Sequence, residues 1–474
     1  MANVVIPRIR PKTLFRAALL ATFFWQPLAA HALAAEDTAE AGEVTRPGES
    51  AAAGAADETP NWQEATLTGD WGGVRKRLHD AGVQADLTYT ADYVRNNTGG
   101  LQRGGAVMGH ADLVLKFGGE KLFGWKGGSG YLHVISNNGG QVNLNNTGSL
   151  MGFDNIEAPV NRTGIFKAWL EQTFLNDKAS VRVGLYPIDT EFYVTDSSGF
   201  FLHPSLGIAA EVFSFGSLAG PSIYATSAYG ARLRINPDPA WYAMLAVTRG
   251  IPSDRVATAG PHISWEHGSG SMAIGEVGFS PVKAGLLHDR PASDEKKDDD
   301  KKGDDFEPIS KLALGLWRYT PRFPELVAVS ATGAPLLTTH WGAYFLAEQT
   351  VFRVPESNRA LAAFLRYGFT DGKTNVLDYS LSFGLSFRGP FAGRERDNFG
   401  IAATRAHAGL QGRAQLSDEL GAPLSSSAET AVEMTYWAKF APGVVLQPVV
   451  QRIFNPGLYL PNATIAGVRL QIAL

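Results

Sequence analysis

The feature that most constrains this chain is a two-residue period held without a break over ten or more positions. In LDYSLSFGLSFR (377–388), Leu377, Tyr379, Leu381, Phe383, Leu385 and Phe387 fall on one face. Asp378, Ser380, Ser382, Gly384, Ser386 and Arg388 fall on the other. Residues 83–93 repeat the pattern, and so does the C-terminal stretch, where Ala466, Val468, Leu470, Ile472 and Leu474 oppose Gly467, Arg469 and Gln471. Side chains alternate between the faces of a strand, so such a period specifies sheets with one apolar and one polar face.

Segments of this kind number sixteen: 83–95, 106–117, 129–137, 163–175, 179–187, 223–234, 239–250, 270–280, 310–318, 338–352, 358–369, 376–388, 398–409, 428–440, 443–453 and 462–474. Their connections differ by parity. Even-to-odd links are mostly short, as in NDK after Leu175, NPDP after Ile235, VPESN near Pro355 and APG after Phe440. Odd-to-even links are mostly long: 138–162, 187–222, 251–269, 319–338 and 410–427. A soluble sandwich has no reason to sort its loops this way. An outer-membrane barrel does, with short periplasmic turns, long extracellular loops and an even strand number. The predicted fold class is therefore all-β: a transmembrane antiparallel β-barrel of about 16 strands with a short N-terminal periplasmic helix.

The rest of the sequence fits export to such a membrane. Arg8, Arg10, Lys12 and Arg16 precede an apolar run (17–25) and the A-x-A options of AHALA (30–34), which reads as a signal peptide over 1–34. Those residues carry four cations and no acid, so their removal takes the net charge from −4 to about −8, against a nucleic-acid partner. Residues 35–61 read as a disordered linker and 62–82 as a helical segment before the barrel of 83–474. DEKKDDDKKGDD (294–305) reads as a solvated insertion. The sequence holds no cysteine, which excludes disulfides and thiolate metal sites. No apolar run of about 18 residues is present to form a spanning helix.

Charge assigns the faces. An arginine or lysine facing lipid at mid-membrane costs roughly 2–4 kcal/mol, so the polar stripe turns inward and the apolar stripe meets acyl chains. About sixteen strands enclose an aqueous channel.

Several longer motifs carry a resemblance. LTGDWGGVRKRLHDAGV, followed by a Tyr-containing strand and NNTGG, resembles the N-terminal signature of the OprB-type carbohydrate-selective porins. VRVGLYPIDTEFYVTDSSGFFLHPSLGI, RERDNFGIAAT and AETAVEMTYWAKFAPGVVLQPVVQRIFNPG follow in family order, so the resemblance covers 67–474. It implies an outer-membrane channel for passive uptake of small neutral sugars, with no catalysis and no cofactor. Outer-membrane lipid, the barrel assembly machinery and copies of the chain itself are the other expected partners. The terminal Leu474, in place of a more usual Phe, and the acidic run depart from the family pattern.

A sugar filter needs charged or amide groups for hydroxyls and an aromatic ring for the C–H face, with binding weak enough for release. Strand parity nominates Lys167, Trp169, Glu171, Arg182, Arg232, Arg234, Arg366, Glu433 and Arg469 as lumen-facing. The longest extracellular connection, 187–222, is the expected constriction loop and adds Asp189 and Glu191. Trp169 is the candidate for stacking. Glu429 and Glu433 cannot act as a glycosidase pair, because four residues along a strand separate them by about 13 Å. The motif 70–82 reads as a helix capped by Asp70 and ended by Gly82, sitting as a cap at the barrel mouth. Two other functions fit less of the pattern: a general or anion-leaning porin, and a secreted β-sandwich that binds glycans.

Overall fold

The computed structural model describes residues 59–158, 161–214, 220–250, 270–281, 308–355 and 357–474. The expected signal peptide, most of the expected linker, the acidic run and the loop 251–269 lie outside the described residues.

The strands are β1 (Val83–Thr98), β2 (Gly104–Gly118), β3 (Gly128–Gly139), β4 (Arg162–Phe174), β5 (Ala179–Tyr186), β6 (Ala228–Ile235), β7 (Trp241–Arg249) and β8 (Ser271–Phe279). They continue as β9 (Ser310–Val329), β10 (Pro335–Arg353), β11 (Ala360–Thr370), β12 (Leu377–Arg388), β13 (Asn398–Ala408), β14 (Ala428–Ala441), β15 (Val444–Phe454) and β16 (Ala463–Ala473). Each pairs antiparallel with its sequence neighbours, and β1 pairs with β16 from Thr88↔Ala473 to Thr98↔Thr464. The sheet is a closed barrel with no free edge in the membrane.

Alternation sets the two faces as expected. On β1, Thr88, Thr90 and Asp92 are buried, while the alternate residues Tyr89 and Tyr93 are exposed. Outward Leu314, Leu316, Val450 and Val468 form part of the apolar belt. A bulge on β4 breaks the period once: His133 pairs with Lys167 and Val134 with Ile165, which leaves Phe166 as the extra residue. Phe166 joins Ile135 and Tyr224 in a small buried cluster.

One expected loop is a correction. Residues 319–338 form no long loop; β9 and β10 run on to a turn at 330–334. Pro321 and Pro324 argue for a break on sequence grounds. They are tolerated because β8 pairs with β9 as far as Tyr319, and among the described residues no ladder continues along the far edge of β9 beyond it.

Two long connections turn into the barrel. Residues Leu150, Met151, Phe153 and Ile156 of the β3–β4 connection are buried, as are Phe192, Tyr193, Phe201, Leu202, Leu206 and Phe213 of the β5–β6 connection. Facing wall positions are small. A Cβ on Gly400 would lie 2.4 Å from Phe200 and 2.5 Å from Phe201, and one on Gly368 would lie 2.0 Å from Glu211. The wall is hollowed where the loop crosses it.

Before β1, helix α1 (Val74–Asp80) follows a 3-10 turn at Trp71–Gly73. Asp70 accepts from the backbone N–H of Lys76 at 2.8 Å, and the N–H of Gly82 bonds the His79 carbonyl at 2.8 Å. Arg75 is buried, lies 4.1 Å over the Trp71 ring, and donates to Thr66 Oγ1, the Gly69 carbonyl and the Leu474 carbonyl. The Leu67 N–H bonds the Ala473 carbonyl at 2.8 Å. The segment therefore grips the end of β16 beside the tight Pro442–Gly443 turn, where Gly443 has φ of 65°.

Candidate functional site

The interior is built from two kinds of wall. On β4, β5 and β6 the strand register places Glu171 opposite Arg182 and Arg182 opposite Arg232. Arg182 donates to Glu171 through Nε at 2.9 Å and Nη2 at 2.7 Å. Arg232 reaches Glu171 at 3.0 Å, and Glu191 of the constriction loop at 2.8 and 3.0 Å. Arg182 also lies 3.4 Å from Glu191, and the Tyr186 hydroxyl donates to that same carboxylate. Four charges thus close on one another with no net charge. Burial alone raises the Glu191 carboxyl, but the two guanidiniums overcome it and hold the group down at about 2.

Beside this network Trp169 stacks on Tyr131, with ring centroids 5.0 Å apart and planes 4° from parallel. The Arg182 guanidinium lies 3.7 Å over the Trp169 ring. Tyr131 comes from β3 and Arg182 from β5, on opposite sides of β4, so both faces of the indole are covered. Lys167 sits 5.6 Å from the Tyr131 ring and 5.7 Å from Phe166. Asp189 accepts from the Tyr224 N–H at 3.0 Å through one oxygen, while its other oxygen has no partner among the described residues. Burial raises the Asp189 carboxyl to about 6, against the opposing charge of Lys167. Arg234 stands apart, bonded to Asn236 at 3.1 Å near a short turn and 5.0 Å over Tyr242.

From β8 round to β15 the wall charges bind loop backbone instead. Glu348 accepts from the N–H groups of Asp196 at 3.1 Å and Ser197 at 2.9 Å. Glu433 accepts from Leu202 at 2.8 Å and His203 at 2.7 Å. Glu276 accepts from the Tyr193 N–H at 2.9 Å and from the hydroxyls of Tyr242 and Tyr344, each at 2.6 Å. Arg366 donates to the carbonyls of Leu206, Tyr193 and Gly207 at 2.6–2.8 Å. Glu429 does the same for the other inward loop, accepting from Leu150 at 2.9 Å and Met151 at 3.1 Å. Arg469 binds Asp92 at 2.7 Å and Asn155, with Asp154 at 3.7 Å. Carboxylates take loop N–H groups and guanidiniums take carbonyls or acids, so the loops lie buried with backbone bonds made.

All eleven candidate residues from the sequence lie on the inner face or in the inward loop. Glu171, Arg182, Glu191 and Arg232 meet in one network with Trp169 against it; Lys167 and Asp189 flank it. Arg366, Glu433 and Arg469 lie elsewhere and are engaged by loops or by Asp92. Sequence reasoning missed Tyr131, Glu276 and Glu348. Parity would have found all three, since each occupies an inward position of an alternating strand.

A sequence profile of the carbohydrate-selective porin, OprB family, matches residues 102–474. Porin B of Pseudomonas aeruginosa is 22% identical over 446 residues, covering 85% of this chain and 90% of the relative. The high-pH structure of Pseudomonas putida OprB superposes with a TM-score of 0.74 at 18% identity, over 88% of this chain and 100% of that one. The low-pH structure of the same protein gives 0.52 at 17% identity, over 86% and 98%. At such identities the structures speak for the fold, and the profile speaks for the family. A closed sixteen-stranded barrel with inward loops, matched by that profile over most of its length, belongs to the OprB family of carbohydrate-selective porins of the bacterial outer membrane.

Proposed function

We propose that small neutral sugars diffuse passively through this barrel, without catalysis, and are selected beside the β4–β6 wall. The observation that carries this reading is the pair Lys167 and Asp189. Beside the β4–β6 network these two leave polar atoms without a hydrogen-bond partner among the described residues, the Lys167 ammonium and one Asp189 oxygen; the Arg366 Nε also lacks one but lies under the loop that Arg366 holds. An ammonium donor, a carboxyl oxygen and the edges of Tyr131 and Phe166 are what a sugar hydroxyl and C–H face require.

The charge balance supports neutral solutes. Arg182 and Arg232 are matched by Glu171 and Glu191, and Arg469 by Asp92, so little unopposed positive field is left to draw anions. Trp169, with both faces covered, acts in this reading through the placement of Arg182.

Reconstitution into liposomes tests the reading. Glucose should permeate faster than neutral amino acids of similar size and faster than small anions. Lys167→Met and Asp189→Asn should each reduce that preference while leaving heat-modifiable migration intact. Rates that scale with solute size alone would overturn sugar selection.

A further inference from the structure

The outward face of the sector β13–β14–β15–β16–β1 carries three charged side chains with fixed sign: Arg95, Arg405 and Arg452. Each points away from the lumen, because its strand neighbours are buried inward. Arg95 lies between Val94 and Asn96, Arg405 between Thr404 and Ala406, and Arg452 between Gln451 and Ile453. No carboxylate shares that face, since Asp86, Asp92, Glu429 and Glu433 all turn inward. Asp378, on the adjacent β12, is engaged by His407 at 2.6 Å. Among the described residues none of the three arginines has an ion-pair partner; Arg405 donates to Thr430 at 3.1 Å and Arg452 to Thr464.

Their depth is common. Each sits two or three residues before the extracellular end of an odd-numbered strand: β1 ends at Thr98, β13 at Ala408 and β15 at Phe454. The register slips steadily between them. Arg405 is level with Thr430 and Phe454, two residues beyond Arg452, and Arg452 is level with Thr464 and Thr98, three residues beyond Arg95. A slip in one sense is what strand tilt produces in a barrel, so the three stand at one height. One strand lies between each and the next, so two strand spacings combined with the slip put them about 12–14 Å apart. Tyr93 and Phe454, exposed beside them, mark the membrane interface.

We propose that this strip binds the phosphate groups of the phosphorylated glycolipid of the outer leaflet. Three like charges about 12–14 Å apart at a lipid boundary need a counter-anion, and arginine forks match phosphate oxygens bidentately. The flanking hydroxyls of Thr98, Thr430 and Thr464 suit a polar headgroup, and the apolar belt below suits its acyl chains. The partner is a lipid and not a solute, because the strip faces outward where the lumen cannot deliver one.

The test uses the full barrel, purified in detergent and stripped of lipid, with diphosphorylated lipid A as the probe. The wild type should bind it at least tenfold more tightly than the Arg95→Gln/Arg405→Gln/Arg452→Gln variant. Dephosphorylated lipid A should bind the wild type at least tenfold more weakly, and inorganic phosphate should not compete at millimolar concentration. Heat-modifiable migration and ion conductance should be unchanged in the variant, which separates this outcome from any failure of sugar selection. Equal binding by the triple variant, equal binding of the dephosphorylated form, or equal binding of anionic phospholipid would each overturn the proposal. Should the triple variant not fold, the two lipid forms compared on the wild type decide.

Discussion

The two sides of the lumen use charge in opposite ways. On β4–β6, carboxylates and guanidiniums meet each other side chain to side chain, and one loop acid joins them. From β8 to β15, Glu276, Glu348, Glu433 and Arg366 instead hold the main chain of the constriction loop. The first arrangement depends on an ionised side chain of the loop; the second fixes the loop's path through its main chain. Over the β8–β15 wall the loop side chains are constrained by packing, as Phe200 and Phe201 are against Gly400, whereas Glu191 on the β4–β6 side is constrained by charge.

Breaking each side separates the two roles. Arg232→Ala should have the largest effect, because Glu171 and Glu191 would then share Arg182 alone in a buried site. Removing one partner of such a network costs roughly 3–5 kcal/mol, which a lowered heat-modification temperature would report. Its absence would mean that water solvates the site. The pH dependence follows from Glu191: its carboxyl is held down at about 2 against an ordinary 4.5. That stabilising contribution is present above about 4.5 and lost as pH falls toward 2.

Glu348→Gln combined with Glu433→Gln comes next. An amide presents N–H groups where loop N–H groups need an acceptor, at about 1–3 kcal/mol for each site. The barrel should stay folded while single-channel conductance rises and its noise increases. Unchanged conductance would show that apolar packing alone fixes the loop.

A smaller effect is expected from Asp189→Asn. The wild-type carboxyl, raised to about 6, is neutral below that pH and negative above it. Cation preference should therefore grow between pH 5 and pH 7 in the wild type and stay flat in the variant. Because the folded pKa is raised, this group also makes the fold slightly less stable as pH rises from about 4 to 6. The smallest change is expected for Trp169→Ala, whose ring faces are already occupied. It should weaken sugar block of ion current only as far as Arg182 is released, and a full loss of block would make the indole itself a binding surface.

Strands were readable from the sequence because alternation is a property of the backbone, and it survives any choice of inward polar residue. The lumen position of Glu171 or Arg232 follows from that rule without knowledge of a partner. What each charge grips does not follow. Glu433 reads the same whether it meets a sugar or the N–H groups of Leu202 and His203, which lie 231 and 230 residues away in sequence. Backbone donors have no residue identity, so no pattern announces them. The extension of β9 was hidden for a different reason: Pro321 and Pro324 signal a break, and what makes them harmless is that, among the described residues, no strand pairs beside them beyond Tyr319.

The LTGDWGGVR segment (67–75) has a consequence for how the barrel is finished. Its anchors on Ala473 and Leu474 exist only where β16 has come to lie beside β1, next to the Pro442–Gly443 turn. A barrel zipped out of register would present the wrong carbonyls to Leu67 and Arg75. The segment thus works as a gauge of closure, engaging fully when the last seam is complete and correctly aligned.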